Sequence, residues 1–272
     1  MTEELDYYDP REAYIHMHAS NFKEFLFEGE EEALAHMAGT YDPFGDTKSL
    51  LVGNFVHSYF ESPESHQRFK DDHPEIIAQK GTTKGKLKSE FKRANQMIKR
   101  VEADPVIMAL VNGAPNKEYV IDGSISGVDW RGKLDAVNLE EQYFIDFKTV
   151  KSLKDFHGLV GGEWSDYYNE YENFFIGRGY HIQMAAYQEM LRQMTGKEFE
   201  VYIVAVSKED EPLADIYKVD QETLDRGMCE ILANQDHIVR LINGEEKPVQ
   251  AKTYSKLYRS TYRVDLENVG VL

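Results

Sequence analysis

Residues 143–150, YFIDFKTV, decide how this chain is read. Tyr143, Phe144, Ile145, Phe147 and Val150 are aromatic or β-branched, the types that suit a pleated, largely buried strand. Asp146 and Lys148 interrupt that pattern. Residues two apart on a strand project from the same face, so a carboxylate and an ammonium share one side of it. Burying such groups uncompensated is costly. Either the two make an ion pair at a sheet edge, or the strand delivers them to a site.

The segments just before it bear on the choice. KEYVIDGSISG (117–127) and VDWRGKLDAVNL (128–139) read as two further strands, with turns at Ser126-Gly127 and Glu140-Glu141. The three strands then form an antiparallel meander, and the second turn folds Asp135 back towards Asp146. Two carboxylates beside a lysine repel one another and desolvate badly without a counter-charge. A hard divalent cation, Mg²⁺ or Mn²⁺, relieves that conflict, and the peptide carbonyl of Phe147 is placed to serve as a further ligand. Such an ion lowers the pKa of a bound water and stabilises charge on a scissile phosphate. Lys148 beside it would orient that water or neutralise the developing charge.

Further along, YHIQMAAYQEMLRQMTG (180–196) is a helix closed by Gly196. EFEVYIVAVS (198–207) and LADIYKVD (213–220) are strands, and a last helix spans 221–242. The glycine- and aromatic-rich stretch 157–179 fits no regular pattern. Towards the N-terminus, apolar periodicity predicts helices over 20–38, 48–60 and 83–111. Ser62-Pro63 reads as the stop of the second, and Asp104-Pro105 as a break in the third. The economical organisation is one domain over 1–272, with a helical part (1–112), an α/β core (113–245) and a tail (246–272).

With 272 residues, 42% of them hydrophobic, a sizeable core is expected. No apolar run approaches the roughly 20 residues needed to span a bilayer. The acidic N-terminus lacks the basic region of a secretory signal. One cysteine, Cys229, leaves no room for an internal disulfide or a cysteine-held metal cluster. A cytoplasmic protein without membrane attachment is expected. The formal charge of −17 argues against nucleic acid as a partner, but charge acts locally. Between Lys80 and Arg100, eight Lys or Arg stand against one acid, Glu90. That run is either a solvated helix face or a phosphate track containing Lys84, Lys86, Lys88, Lys92 and Arg93.

Taken together, GKLDAV and YFIDFKT resemble the core of the PD-(D/E)xK nuclease superfamily, with Asp135 as first acid and Asp146-x-Lys148 as second acid and lysine. More narrowly they resemble the RecE-type and RecB-like exonucleases. Gln183 and Tyr187 match that branch's Q-x-x-x-Y helix, Gly53 and His57 its G-x-x-x-H helix, and Glu118 the acid that opens its first strand. The pieces occur in the family's order and cover about residues 20–245. The resemblance implies an α/β, restriction-endonuclease-like core, a central mixed sheet with the meander flanked by helices. It implies metal ligation by His57, Asp135, Asp146 and the Phe147 carbonyl, and catalytic roles for Lys148, Glu118, Gln183 and Tyr187. It further implies a Mg²⁺- or Mn²⁺-dependent exonuclease on linear double-stranded DNA ends, 5′→3′, in phage or prophage recombination inside a bacterial host cell. The implied partner is a single-strand annealing protein, and the implied assembly a homo-oligomer. Each piece alone also fits packing: His57 as a core histidine, Gln183 and Tyr187 bonded to one another. A nicking or structure-specific endonuclease and a non-cleaving DNA-binding assembly protein are the competing functions. Trp164, Tyr167, Tyr168, Tyr171, Phe174 and Phe175 either stack on terminal bases or pack the interior.

Overall fold

Strands β1 (Asn116–Ile125), β2 (Val128–Asn138) and β3 (Tyr143–Val150) form the antiparallel meander. At its first corner Ser126 and Gly127 both have positive φ, 47° and 85°, as a two-residue hairpin requires. A computed structural model supplies the coordinates and describes residues 7, 9, 11–43, 48–155, 163–251, 255 and 257. β6 (Glu200–Ser207) lies parallel to β3, and β7 (Ala214–Val219) runs antiparallel beside β6. The five-stranded sheet therefore has the order β1-β2-β3-β6-β7. The parallel step needs a long crossover. It is supplied by a small hairpin, β4 (Glu163–Ser165) and β5 (Glu170–Glu172), then α7 (Phe174–Gly177) and α8 (Tyr180–Thr195).

Helices cover both faces, as a sheet carrying a parallel pair at its centre demands. On one face lie α1 (Ala19–Phe27), α2 (Glu30–Met37), α8 and α9 (Gln221–Ile242), packed around Phe22, Trp130, Phe144 and Ile182. On the other lie α3 (Lys48–Glu61), α5 (Ser89–Glu102) and α6 (Pro105–Gly113), packed around Phe55, Phe91, Ile145 and Phe147. The N-terminal third thus supplies layers to both sides of the sheet. Each fully buried side chain of this size contributes about 1.5–3 kcal/mol. Among the described residues no helix is long and apolar enough to cross a membrane.

Three helices depart from the sequence expectation. The helix expected over 20–38 is split at Gly29, whose φ of 136° is foreign to a helix. Ser62-Pro63 begins a helix, α4 (Pro63–Asp72): the Ser62 hydroxyl accepts from the Ser65 N–H at 3.0 Å and Pro63 takes the first helical position. The long basic helix begins only at Ser89, so Lys84 and Lys86 sit in the turn ahead of α5 and Lys88 is its N-cap. The break at Asp104-Pro105 is present, with Asp104 capping α6 through the Val106 and Ile107 N–H groups. Residues 156–162 and most of the tail from 252 onward lie outside the described residues.

One irregularity positions everything that follows. β2 pairs with β3 only at Ala136↔Ile145, Val137↔Phe144 and Asn138↔Tyr143, and then the strands part. In the open fork the backbone of Met17 pairs with β2 instead: its N–H donates to the Asp129 carbonyl at 2.8 Å and its carbonyl accepts from the Arg131 N–H at 3.0 Å. Asp135 and Asp146 stand at the point of parting.

Candidate active site at the fork between two strands

At the fork the Phe147 N–H has lost its ladder partner on β2. The Asp135 side chain replaces it, with Oδ2 accepting at 2.6 Å. Asp135 also breaks the alternation of its strand. Leu134 and Val137 belong to the α8-side core and Ala136 to the α3-side core, while Asp135 turns towards α3 and its His57. Across the β1–β2 ladder Lys117 pairs with Ala136 and Tyr119 with Leu134, skipping Glu118, whose φ is +48°. A non-glycine residue in that conformation is uncommon and marks local strain. The two strands are distorted together, at the level of the acids.

α3 approaches β3 closely at Gly53, where an added Cβ would stand 3.3 Å from Thr149 Oγ1. One turn later His57 faces Asp135, Nδ1 to Oδ2 3.5 Å, an electrostatic contact longer than a good hydrogen bond. Phe60, on the same helix, stacks on Phe147 with centroids 4.9 Å apart. α8 approaches β2 in the same manner at Gly132, where a Cβ would meet Tyr187 Cε1 at 2.5 Å. Gly132 and Gly53, both part of the sequence motifs, therefore make room for the two flanking helices.

On the α8 side Asp146 is buried. Its Oδ1 accepts from Gln183 Nε2 at 3.2 Å, and its Oδ2 faces Lys148 Nζ at 2.5 Å. Gln183 Nε2 also reaches the Tyr187 hydroxyl at 3.3 Å. Two residues that no motif singled out complete this side. Lys23 of α1 donates from Nζ to Gln183 Oε1 at 2.9 Å, and the Lys23 and Lys148 ammoniums lie 4.8 and 4.4 Å from the centroid of the Tyr180 ring. Tyr180 lies within the quoted helix, but Lys23 sits on a helix that sequence periodicity explains as packing.

The titration of these groups follows from their surroundings. Burial raises Asp146, and the neighbouring Asp135 adds to this, while Lys148 only partly offsets it. Burial acts on Asp135 in the same sense, but His57, Lys148 and the Phe147 N–H outweigh it and hold Asp135 below the ordinary carboxylate range. For His57 and Lys148 burial opposes the charged form, and the carboxylates beside them more than reverse it, so both are raised. Burial also carries Tyr187 well above the usual phenol value. Two carboxylates pushed in opposite directions at one place are a recurring signature of acid–base or metal chemistry.

Glu118 forms an ion pair with Lys133 and lines, with His57, Asp135, Glu61 and Arg68, a cleft of about 360 Å³ on the α3 side. Lys84, Lys86, Lys92 and Arg93 are exposed and Lys88 half-buried. α5 packs over β6 and β7, the part of the sheet away from β2, and Arg93 is held in an ion pair with Asp210. The aromatic stretch divides. Phe175 is buried, Phe174 packs on Tyr180, and Tyr167 and Tyr168 hydrogen-bond to Glu230 and His181, whereas Trp164 and Tyr171 are exposed and meet edge to face.

The donors here suit a hard divalent cation. Asp146 Oδ2 is buried with the Lys148 ammonium against it, and the neighbouring Asp135 adds a second carboxylate. Among the described residues no three His, Cys, Asp or Glu side chains are yet gathered closely enough to enclose an ion.

Comparison with known proteins agrees with this geometry. The crystal structure of a protein from Eubacterium rectale named "Putative exonuclease" superposes with a TM-score of 0.84 and 29% sequence identity, over 98% of this chain and 97% of that one. None of the curated proteins matches the chain. A family profile described as a PDDEXK-like domain of unknown function matches residues 18–257, a span that includes both flanking helices and the fork. The chain belongs to that PDDEXK-like family, and with it to the PD-(D/E)xK nuclease superfamily.

Proposed function

We propose that the protein is a divalent-metal-dependent exodeoxyribonuclease that degrades linear double-stranded DNA from its ends, with 5′→3′ polarity. The observation that carries this reading is the fork itself. β2 and β3 part where Asp135, Asp146 and Lys148 stand, and α3 and α8 close on it with His57 and Gln183. Asp135, Asp146, His57 and the Phe147 carbonyl would hold Mg²⁺ or Mn²⁺. When bound, that ion supplies Lewis-acid stabilisation of the phosphate and an acidified water.

The chain's own residues supply the rest. Lys148 is an ammonium with donors only, aimed along Asp146, and it would meet a non-bridging phosphate oxygen as negative charge develops there. Gln183 fixes the Asp146 carboxylate through Oδ1. Tyr187, raised by burial, stays protonated and keeps a donor beside Gln183. End-directed action is supported by the name of the E. rectale neighbour, and polarity by the likeness to RecE-type enzymes. The same likeness supports a homo-oligomer working with a single-strand annealing protein in phage-type recombination, in the cytoplasm of a bacterial host.

The test is incubation with linear duplex labelled at either 5′ or 3′ ends, alongside covalently closed circular DNA, with Mg²⁺, Mn²⁺ or chelator. Early release of the 5′ label, an intact circle and no reaction in chelator are expected. Nicking of the circle at a comparable rate would favour the endonuclease reading, and no release with any divalent ion would refute the enzyme.

A further inference from the structure

Lys23 comes from α1, 160 residues from its hydrogen-bond partner Gln183. We propose that it is a positioning residue for the nuclease reaction, acting through Gln183 by fixing which end of that amide faces Asp146. This rests on the nuclease reading above.

Donors and acceptors decide which way the Gln183 amide faces. A lysine ammonium offers three donors and no acceptor. While Lys23 is protonated, with Nζ 2.9 Å from Oε1, only the carbonyl end of Gln183 can face it. The NH₂ end is then turned to Asp146 Oδ1 at 3.2 Å and the Tyr187 hydroxyl at 3.3 Å. Without the ammonium the amide can reverse and set its oxygen against the Asp146 carboxylate, where the two repel. Held as it is, Gln183 anchors Oδ1 and leaves Oδ2 to the Lys148 ammonium.

The placement is poor if stability were its only purpose. The Nζ hydrogen bond ends on a neutral amide. Burial, with Lys148 next, brings the Lys23 pKa down to about 7, and Asp146 and Glu24 only partly offset this. The cleft beside it, about 420 Å³, carries Glu24 of α1 and Glu28 just after it, Asp166 and Tyr167 of the segment before α7, Arg178 after α7, and Tyr180 of α8. A cation held away from a carboxylate partner and aimed at a site amide is a local cost that function explains.

The experiment is a double-mutant cycle with K23M, Q183A and the pair, with K23Q as a second neutral variant and K23R as the conservative one. Hydrolysis of end-labelled linear duplex is followed at saturating Mg²⁺, and thermal unfolding reports whether each variant folds. K23M and K23Q should lower kcat about tenfold with KM within about twofold, and K23R should stay within about threefold of the parent. The double variant should lose no more than Q183A alone. Losses that multiply would overturn the proposal. So would a raised KM at unchanged kcat, or a K23R as slow as K23M. Should K23M fail to fold, K23Q and its own cycle with Q183A decide between the same outcomes. A parent that hydrolyses no DNA overturns the nuclease reading and this proposal with it, whereas a failed cycle in an active parent overturns this proposal alone.

Discussion

The two walls of the fork are built differently. Against α8, Asp146 and Lys148 have side chains only 6% and 13% exposed, tied into a chain that runs through Gln183 to Lys23 and Tyr187. Against α3, Asp135 and His57 are 20% and 31% exposed, their contact is a loose 3.5 Å, and the strand opposite is strained at Glu118. One wall is tied together side chain to side chain, whereas on the other Asp135 is held by the Phe147 N–H and His57 stands off it. Preorganised groups are worth most where charge develops. The more exposed wall is the side from which an ion that brings its own water would enter.

The sharpest way to break this comparison is to neutralise each acid in turn. Both D146N and D135N should cost about 10³-fold or more in single-turnover cleavage of linear duplex, the scale expected when charge stabilisation at the reacting phosphate is removed. A D135N protein within tenfold of the parent would reduce Asp135 to a backbone acceptor for the Phe147 N–H. A smaller effect separates the walls. H57A should raise the Mg²⁺ concentration needed for half-maximal rate by about 10–100-fold, and Q183A should slow the saturated reaction without moving that midpoint. Equal shifts in both variants would erase the distinction.

A third experiment probes the packing behind each wall. Burial holds His181, on α8, at a pKa of about 3 and His66, on α4 against α3, at about 4. Both lie below the unfolded value of about 6.5, so the unfolded chain takes up protons that the folded one refuses. Stability contributed by these neutral rings is present above pH 6.5 and is lost as pH falls towards 4. Replacing either with Gln should flatten the decline of melting temperature between pH 7 and 4.5 by a few degrees. Unchanged slopes would mean that the rings are solvated. The smallest effect is expected at the basic turn and the start of α5. K84A, K86A and K92A together should weaken duplex binding a few-fold and lower the slope of log affinity against log salt by at most about 3. An unmoved slope would make the turn an ordinary solvated surface.

How much of this was legible in the sequence follows from range. The meander was read nearly to the residue, because strand alternation and a Ser-Gly turn are local signals. Asp135, Asp146 and Lys148 were visible through spacing, Gln183 and Tyr187 only through the family resemblance, and the structure gathers them at one place. The fork was not, since the types around Asp135 do not say that β2 abandons β3 after three pairs. α4 was missed because a Ser-Pro pair that closes one helix is equally able to cap the next. The break at Gly29 was hidden in an acidic, helix-favouring run. Lys23 left no trace, since what gives it meaning is an amide far along the chain.

Met17 has one more consequence. By pairing with β2 in the fork it covers backbone groups that would otherwise be a bare strand edge. Preparations clipped just ahead of α1 would expose adhesive backbone at Asp129–Arg131 on the strand that carries Asp135, and such edges recruit other chains. Self-association of nicked material, even with α8 and its partners intact, would be the practical sign.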